Sequence, residues 1–441
     1  MFRTRSILLS AITASLAGFL FGFDTIVISG AEQAIQEVWN TSDFFHGTFI
    51  MSMALWGTVI GALTGGYPSD YFGRKNTLIF IGFLYFFSAL GSALAPDPYL
   101  FSFSRFIGGL GVGASTVAAP IYISEITPPE NRGRLVASYQ FNIVFGILLA
   151  YLSNYFVGVY MGEDAWRWMM GMEIFPAAIY AMLAFSIPES PRWLTLHEGD
   201  EAAAASVLNQ ISPDIDAQEM IQSFKDTVTQ AEPARFFSGK FSYPIMLAFL
   251  IAFFNQFSGI NFVLYYAPRI IEQAGVASSD ALGVSISIGA VNMIFTLIGL
   301  YLIDRAGRKS LMYVGSIGYI LSLAGVSWSF YSDANPTLLI CFIGAFIASH
   351  AVGQGAVIWV FISEIFPNEV RGYGTALGTG THWVCAAVIT LITPTVLSAL
   401  APEAIFAFFS GMMVLQLLFV GFMMPETKNK SLEDLEDVLL S

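Results

Sequence analysis

The 441-residue sequence contains little charge and little cysteine. Only 12% of its residues are charged, and its two cysteines, Cys341 and Cys385, both lie in apolar segments. This pattern excludes a disulfide-stapled secreted fold. The sequence also lacks a cluster with metal-ligand spacing and a nucleophile paired with a base, so it indicates neither an enzyme nor a bound cofactor. We expect no nucleic-acid partner either.

Apolar residues set the fold class. Hydrophobic residues make up 55% of the chain, and the mean hydropathy is +0.66. A membrane-spanning helix needs about 20 apolar residues. We therefore predict an all-α integral membrane protein in the lipid bilayer, with twelve transmembrane helices. The predicted spans are 7–29, 47–69, 77–95, 99–124, 135–158, 167–187, 243–272, 281–303, 311–330, 337–363, 373–399 and 403–424.

The basic residues indicate the orientation. If both termini are cytoplasmic, every lysine and arginine except Arg105, Arg167 and Arg269 lies in a cytoplasmic segment. The outer loops carry mostly acidic residues. This asymmetry follows the positive-inside rule, so we expect cytoplasmic N- and C-termini. The net charge of −13 then says little about partners, because much of it lies in acidic loops.

Three motifs recur at nearly the same offset. DYFGRK at 70–75 returns as DRAGRK at 304–309, SEI at 124–126 returns at 363–365, and PES at 188–190 returns as PET at 425–427. Repeated halves are a common transporter architecture. The repeat predicts two pseudo-symmetric six-helix bundles, at 1–187 and 243–424.

The segment between the halves is predicted to be a linker rather than a domain. Within 188–242, Asp200 can N-cap a short helix, and apolar residues every three or four positions after Pro213 predict a second amphipathic helix. We expect both helices to lie on the cytoplasmic face. In the cytoplasmic tail, 425–441, Ser431 and Asp434 resemble a capping box.

Acids and bases recur at the predicted cytoplasmic helix ends of both halves. Cations there can cap unpaired helix carbonyls, and bridges that break when this face opens would bias two conformations. Simple positive-inside anchoring is the alternative. The predicted latch residues are Asp70, Arg74, Glu125, Arg132, Asp304, Arg308, Glu364 and Arg371.

A polar stretch interrupts the predicted seventh span. Residues 254–268 include Asn255, Gln256 and Asn261, whose amides offer donors and acceptors that suit a ligand rich in hydroxyl groups. Hydrogen bonding between helices is the alternative. On an unbroken helix Gln256 and Asn261 would point about 140° apart. Either the helix breaks near Ser258 and Gly259, or the two amides face different neighbours.

Two charges stand alone in predicted spans. Asp24 lies in the first span and Arg105 in the fourth. A charge at the bilayer centre costs at least ~2.5–3.5 kcal/mol, which pairing would relieve. A proton-coupling site is the functional interpretation, and a static ion pair is the alternative. Glu173 is a weaker third candidate that could instead sit at the outer interface.

The motifs together resemble the sugar porter family of the major facilitator superfamily. They comprise FGFDT at 21–25, Arg105 with glycines 108, 109, 111 and 113, PESPR at 188–192, QFSGIN at 256–261 and PETK at 425–428. They span essentially the whole chain and keep the family's order. The Asp24–Arg105 pair resembles that of the proton-coupled members.

The resemblance also implies a sugar site. Its predicted substrate-binding residues are Gln140, Asn255, Gln256, Asn261, Asn292, Trp359, His382 and Trp383, and its predicted outer-gate residues are Tyr265 and Tyr266. Four features depart from the family pattern. In the first latch, Tyr71 stands where a basic residue is common. Asn255 stands where a second Gln is common, His382 precedes Trp383 where Asn or Gln is common, and residues 353–356 replace a proline-containing motif. These departures leave the sugar open among hexose, pentose and inositol.

The sequence therefore predicts a carrier that imports a monosaccharide with a proton by alternating access. A facilitative sugar uniporter is the nearest alternative, and Asp24 argues against it. A non-transporting sugar receptor would need a signalling appendage, whereas the tail stops at Ser441. The short termini and loops suggest a bacterial plasma membrane. We expect the monomer to be functional.

Overall fold

The computed structural model describes residues 2–211, 216–229, 236–237, 239–367, 369–430, 435 and 439. All regular secondary structure in those residues is helical, as predicted. The predicted capping box at Ser431 and Asp434, and Pro213 in the linker, lie outside the described residues.

The first half of the described chain forms ten helices. They are α1 (Phe2–Val27), α2 (Glu32–Trp39), α3 (Asp43–Phe45), α4 (Met53–Thr64), α5 (Gly66–Phe72), α6 (Arg74–Leu94), α7 (Pro98–Ile126), α8 (Pro129–Tyr160), α9 (Ala165–Gly171) and α10 (Ile174–Ser186). A π-helical segment, His46–Met51, precedes α4. Asp97 caps α7 through hydrogen bonds from the backbone N–H groups of Tyr99 and Leu100.

Three shorter helices follow in the linker. They are α11 (Pro191–Trp193), α12 (Glu201–Ile211) and α13 (Ala217–Thr229). Asp200 Oδ1 accepts a hydrogen bond from the Ala203 backbone N–H at 2.9 Å, which confirms the predicted cap. Ala204, Leu208 and Ile221 form a small apolar core that holds α12 against α13.

The remaining described chain forms nine helices. They are α14 (Ser242–Phe257), α15 (Ile260–Tyr265), α16 (Ala267–Gln273), α17 (Ser278–Ala306), α18 (Arg308–Tyr331), α19 (Pro336–Val352), α20 (Gln354–Glu364), α21 (Arg371–Ala399) and α22 (Pro402–Phe422). Across the described residues, twelve helical segments are long and apolar enough to cross a membrane. This number confirms the twelve predicted spans.

The predicted seventh span is broken where its polar stretch begins. Helix α14 ends at Phe257, and Gly259 adopts a φ of +86°, a left-handed conformation that glycine tolerates best. A Cβ on Gly259 would also lie 2.8 Å from the Phe409 ring. The break confirms the first of the two predicted outcomes and turns the chain so that Asn261 returns to Gln256.

The chain packs as two compact units. Unit 1 comprises Met1–Thr25, Trp56–Ile147 and Met170–Pro233, and unit 2 comprises Ile26–Leu55, Leu148–Met169 and Ala234–Ser441. These units reflect packing, whereas the predicted domain bounds reflect the sequence repeat and stay predictions. Two segments from the first half of the sequence thus belong to the unit that contains the second half.

Candidate functional site

The first candidate site is an ion pair inside unit 1. The side chains of Asp24 on α1 and Arg105 on α7 are each 1% exposed. Arg105 Nη1 lies 2.5 Å from Asp24 Oδ1, and Nη2 donates to the Asp24 backbone oxygen at 2.9 Å. Gly108 leaves room for Ser88 beside the pair, since a Cβ there would lie 2.3 Å from Ser88 Oγ. The expected pairing is present, and its role in coupling stays a prediction.

A second carboxyl group lies beside this pair. Glu173 directly precedes α10 and is completely buried. Neither of its carboxyl oxygens makes a hydrogen bond of normal geometry within the described residues, although the group is close enough to interact with Asp24 and Arg105. Full burial beside Asp24 does not fit the alternative that Glu173 merely sits at the outer interface.

The second candidate site is a row of amides in unit 2. Asn261 Nδ2 donates to Gln256 Oε1 at 2.8 Å, and Gln256 Nε2 donates to Asn255 Oδ1 at 2.9 Å. Asn255 and Gln256 are buried, whereas Asn261 is half-buried. The break at Gly259 creates this contact, because it folds α15 back toward the end of α14. Three predicted sugar contacts thus lie side by side.

Aromatic residues adjoin the amide row. His382 on α21 has both ring nitrogens within 3.3 Å of Gln256 Nε2. Its ring centroid lies 4.9 Å from that of Trp359 and 4.8 Å from that of Trp383. Since an amide N–H donates to an unprotonated ring nitrogen, His382 can serve as an acceptor here. Flat apolar faces next to amides suit a sugar ring, which has C–H groups as well as hydroxyls.

The other predicted contacts lie farther along the helices. Asn292 on α17 is 5% exposed, and Gln140 on α8 is half-buried within unit 1. Tyr265 and Tyr266 are buried, and the Tyr266 hydroxyl donates to the Thr390 carbonyl at 3.0 Å. These positions do not test the predicted sugar-binding and gating roles, which stay predictions.

The first latch consists of Asp70, Arg74, Glu125, Glu189 and Ser190, all in unit 1. Arg74 donates to both carboxylate oxygens of Glu125, at 2.9 and 3.1 Å, and to Asp70 Oδ1 at 2.9 Å. Glu189 accepts hydrogen bonds from the Arg74 and Lys75 backbone N–H groups. Ser190 Oγ donates to Glu125 at 2.6 Å. Three separate helix ends are thus joined through one arginine.

The second latch consists of Asp304, Arg308, Glu364, Glu426 and Thr427, all in unit 2. Arg308 donates to both oxygens of Glu364, at 3.1 and 2.8 Å, and lies 3.4 Å from Asp304. Glu426 accepts from the Arg308 backbone N–H at 2.9 Å, and Thr427 Oγ1 donates to Glu364 at 2.6 Å. The second latch therefore repeats the first almost bond for bond.

Glycine is required at the same point of each latch. Gly73 and Gly307 have φ values of +91° and +89°, and a Cβ at either would lie within 2.6 Å of the Glu189 or Glu426 carboxylate. The glycines thus let a carboxylate reach the N-terminus of the next helix.

Two predicted latch residues stand apart from these clusters. Arg371 Nε donates to the Phe366 carbonyl at 3.3 Å, and Arg132 is exposed. Within the described residues, neither arginine lies at ion-pair distance from an acid.

Burial affects the two latch glutamates to different degrees. It raises the pKa of Glu189, even though hydrogen bonds from Ser190, Lys75 and Arg74 favour the charged form. Glu426 is less buried, and four backbone N–H groups outweigh its desolvation, so its pKa is lowered. The two positions are equivalent in the repeat but respond to acid in opposite directions.

Unit 2 also holds a buried network that the sequence patterns did not single out. We call Glu32, Gln36, His46 and Arg269 the outer network, from its predicted side of the membrane. Glu32 Oε2 lies 3.3 Å from His46 Nε2 and 3.5 Å from Arg269 Nη1, which also donates to Gln36 at 3.3 Å. Glu32 and His46 are at most 1% exposed. The network joins α2 and the π-helical segment to α16.

The repeat offset was a usable signal for this network. Glu32 and Arg269 are 237 positions apart, as are the PES and PET motifs. Equivalent positions of two duplicated halves can meet where the pseudo-symmetry axis passes. The offset therefore marks Glu32 and Arg269 as a pair worth testing for contact, and only the structure shows that they meet.

Comparison with known proteins gives a family and several relatives. The family described as "Sugar (and other) transporter" matches residues 10–439. The D-xylose-proton symporter of Escherichia coli strain K12 is 34% identical, with 96% of this chain and 94% of that protein covered. The arabinose-proton symporter of Bacillus subtilis strain 168 is 33% identical, with coverage of 98% and 94%.

Solved structures agree with the fold. The inward open conformation of the xylose transporter XylE from E. coli has a TM-score of 0.87 at 32% identity, with 98% of this chain and all of that chain covered. The proton:xylose symporter XylE bound to 6-bromo-6-deoxy-D-glucose has a TM-score of 0.81, also at 32% identity, with coverage of 99% and 100%. The predicted twelve-helix major facilitator fold is therefore confirmed.

Proposed function

The chain belongs to the sugar and other transporter family, and from that premise we propose that it imports a monosaccharide in symport with a proton. The names of the xylose- and arabinose-proton symporters among its relatives support both substrates. Alternating access would carry both across the membrane. The positive-inside pattern and the bacterial relatives support a bacterial plasma membrane. We also propose that the monomer is the working form.

The observation that carries proton coupling is the buried cluster of Asp24, Arg105 and Glu173. It combines two carboxyl groups with one guanidinium, all nearly inaccessible to solvent. Two buried carboxylates and one cation leave a negative charge in a low-dielectric setting, which one proton would neutralise. If Arg105 moves relative to Asp24 as access alternates, the proton affinity of the cluster changes between states.

The amide row and its aromatic neighbours support a sugar as the other substrate. Gln256 and Asn261 provide donors and acceptors for hydroxyls, and Trp359 provides an apolar face for ring C–H groups. His382 adds an acceptor at a position where amides are usual in the family. A pentose, a hexose or an inositol fits this chemistry.

Uptake into liposomes tests the proposal. Purified protein would be reconstituted and given a panel of labelled monosaccharides, with and without an inward proton gradient. We expect at least one sugar to accumulate above its external concentration, and a protonophore to abolish the accumulation. Uptake that only equilibrates the sugar would identify a facilitative uniporter and make the Asp24–Arg105 pair structural.

A further inference from the structure

The amide row does not end at Asn255. Asn255 Nδ2 donates to Gln354 Oε1 at 3.3 Å, and Gln354 Nε2 donates to Gln416 Oε1 at 2.8 Å. Gln416 Nε2 then donates to Ser316 Oγ at 2.8 Å. With Asn261 and Gln256, five amides form one chain of hydrogen bonds across α15, α14, α20, α22 and α18. Gln354, Gln416 and Ser316 are each at most 1% exposed.

Every bond in this chain runs in one direction, from the nitrogen of one amide to the oxygen of the next. The two ends of an amide are chemically different, since one donates and the other accepts. Turning a single member round would set two oxygens, or two N–H₂ groups, against each other in a buried place. Such mismatches are costly, so the orientations are decided together.

Ser316 anchors that direction. Its hydroxyl donates to the Met312 carbonyl at 2.7 Å, so its oxygen offers lone pairs to Gln416. The nitrogen end of Gln416 must then face Ser316, and each further amide follows in turn. In the reverse arrangement Ser316 would have to give up Met312 and donate to Gln416.

The other end of the chain lies at the proposed sugar site. Asn261 uses its nitrogen to donate to Gln256, and no hydrogen bond reaches its Oδ1 from the described residues. Gln256 cannot turn independently, because its nitrogen serves both Asn255 and His382. A fixed direction therefore leaves Asn261 presenting its Oδ1 as an acceptor, while one of its two Nδ2 hydrogens is given to Gln256.

We propose that Ser316, Gln416 and Gln354 are positioning residues for sugar recognition. They hold Asn261 with its oxygen toward the sugar, so that this position reads a hydroxyl as a hydrogen-bond donor. The inference rests on the proposed function, because it needs a bound sugar. None of the three positioning residues touches the sugar itself.

Fluorinated sugars test the direction, because a C–F group can accept a weak hydrogen bond but cannot donate one. Affinities of the purified full chain would be measured for its sugar and for the deoxy and deoxyfluoro analogues at each hydroxyl. The same analogues would also be measured with Asn261→Ala. The hydroxyl that Asn261 contacts is the one whose removal weakens binding to wild type but not to Asn261→Ala. At that hydroxyl, we expect the deoxyfluoro analogue to bind wild type no better than the deoxy analogue.

Variants at the far end should change this preference. In Ser316→Ala and Gln416→Met, Asn261 is free to turn its N–H₂ group toward the sugar. The affinity for the deoxyfluoro analogue should then rise about three- to tenfold relative to the affinity for the deoxy analogue. Ser316→Thr keeps the hydroxyl and should restore the wild-type ratio. Ser322→Ala is the matched control, because Ser322 is also buried on α18 but bonds only within that helix.

The outcomes separate this inference from the proposed function. If Ser316→Ala and Gln416→Met keep the wild-type ratio of deoxyfluoro to deoxy affinity and change only in melting temperature, the positioning role is overturned and a packing role remains. Sugar binding by wild type would still support the proposed transport function. A wild type that prefers the deoxyfluoro analogue at the Asn261 hydroxyl would also overturn the positioning role. A chain that binds no monosaccharide at all would overturn the proposed function and the inference together.

Discussion

The two latches are nearly identical, whereas the interiors of the two units are chemically different. At each latch an arginine donates to both oxygens of a glutamate, and a second glutamate accepts from the next helix's backbone. Inside unit 1 lie Asp24, Arg105 and Glu173. Inside unit 2 lie the amide row with His382 and, in the outer network, the buried Glu32 with His46 and Arg269.

This difference fits separate roles for the two units, proton binding in unit 1 and sugar recognition in unit 2, under the proposed function. If the latches bias two conformations, as predicted, each half needs its own, which fits their presence in both units. Proton binding and sugar recognition have different requirements. A proton site needs buried ionisable groups, which are costly in a membrane, whereas a sugar site needs matched neutral donors and acceptors. Under the proposed function, Asp24, Arg105 and Glu173 in unit 1 would meet the first requirement, and the amide row in unit 2 would meet the second.

The largest expected effect comes from removing the buried charge of Asp24 in unit 1. Asp24→Asn keeps the shape but cannot ionise, so it should abolish uphill uptake and keep exchange of labelled for unlabelled sugar. For one charge per sugar, a membrane potential supplies ~2.3 kcal/mol per 100 mV, which is roughly fiftyfold accumulation. Uptake under a potential and a pH gradient, compared with counterflow exchange, measures the loss.

Glu163→Gln is the matched control, because Glu163 is an exposed acid in the short 3-10 helix Gly162–Asp164. It should accumulate sugar like wild type. Uphill uptake by Asp24→Asn would move the coupling site elsewhere, and Glu173→Gln would then be the next variant to examine.

The second prediction tests the likeness of the latches. Arg74→Ala and Arg308→Ala each strand a glutamate, and losing one partner of a buried pair costs about 3–5 kcal/mol. Glu125 is 9% exposed and Glu364 is 27% exposed, so the first latch should lose more. Melting temperatures in detergent would measure both losses.

The exposed Arg134, at the start of α8, provides a matched control. Arg134→Ala should melt like wild type. Similar melting of Arg74→Ala and wild type would mean that the first latch anchors orientation only, which was the alternative interpretation of these residues.

Features that repeat or that follow from hydropathy were predictable from the sequence. Twelve spans follow from the length of apolar runs, and the latches follow from motifs near one offset. The break near Gly259 was one of two stated outcomes, since a glycine between two amides permits a left-handed turn. The Asp24–Arg105 contact followed from the cost of leaving either charge alone.

Contacts between distant spans were not predictable in the same way. Gln354 and Gln416 are lone amides in separate apolar helices, and no local pattern links them to Asn255. Their role appears only once α14, α20 and α22 are packed together. Glu32 and His46 looked like ordinary loop residues, because their burial depends on α16 lying beside them.

The third prediction concerns the amide row of unit 2. Gln256→Ala removes the amide that contacts Asn261, Asn255 and His382, and an unmatched buried group costs about 1–3 kcal/mol. Sugar affinity should fall about tenfold or more. The melting temperature without sugar should also fall, because Asn255 and Asn261 lose their amide partner. Titration calorimetry measures the affinity, and Gln222→Ala on the exposed face of α13 is the control. Normal affinity in Gln256→Ala would exclude Gln256 from the site.

His382→Gln sharpens the same comparison, because it restores the amide usual in the family. If His382 lines the sugar site, the order of affinities across a monosaccharide panel should change. An unchanged order would favour a packing role for this histidine.

The smallest expected effect separates the two latches by their response to acid. The raised pKa of Glu189 means that the folded protein holds its proton more tightly than the unfolded chain does. Its contribution to stability is therefore complete below the ordinary value of 4.5 and is lost as pH rises through the folded pKa. The lowered pKa of Glu426 has the opposite sign. Its contribution is present above 4.5 and is lost as pH falls through the folded pKa.

Melting curves of wild type, Glu189→Gln and Glu426→Gln between about pH 3 and pH 7 would measure these linkages. As the pH falls, the melting temperature of wild type should rise relative to Glu189→Gln and fall relative to Glu426→Gln. Because both groups are partly solvated, we expect shifts of at most about 2 °C. Parallel curves would show that the two glutamates experience the same environment. The latches would then be alike in electrostatics as well as in hydrogen bonding.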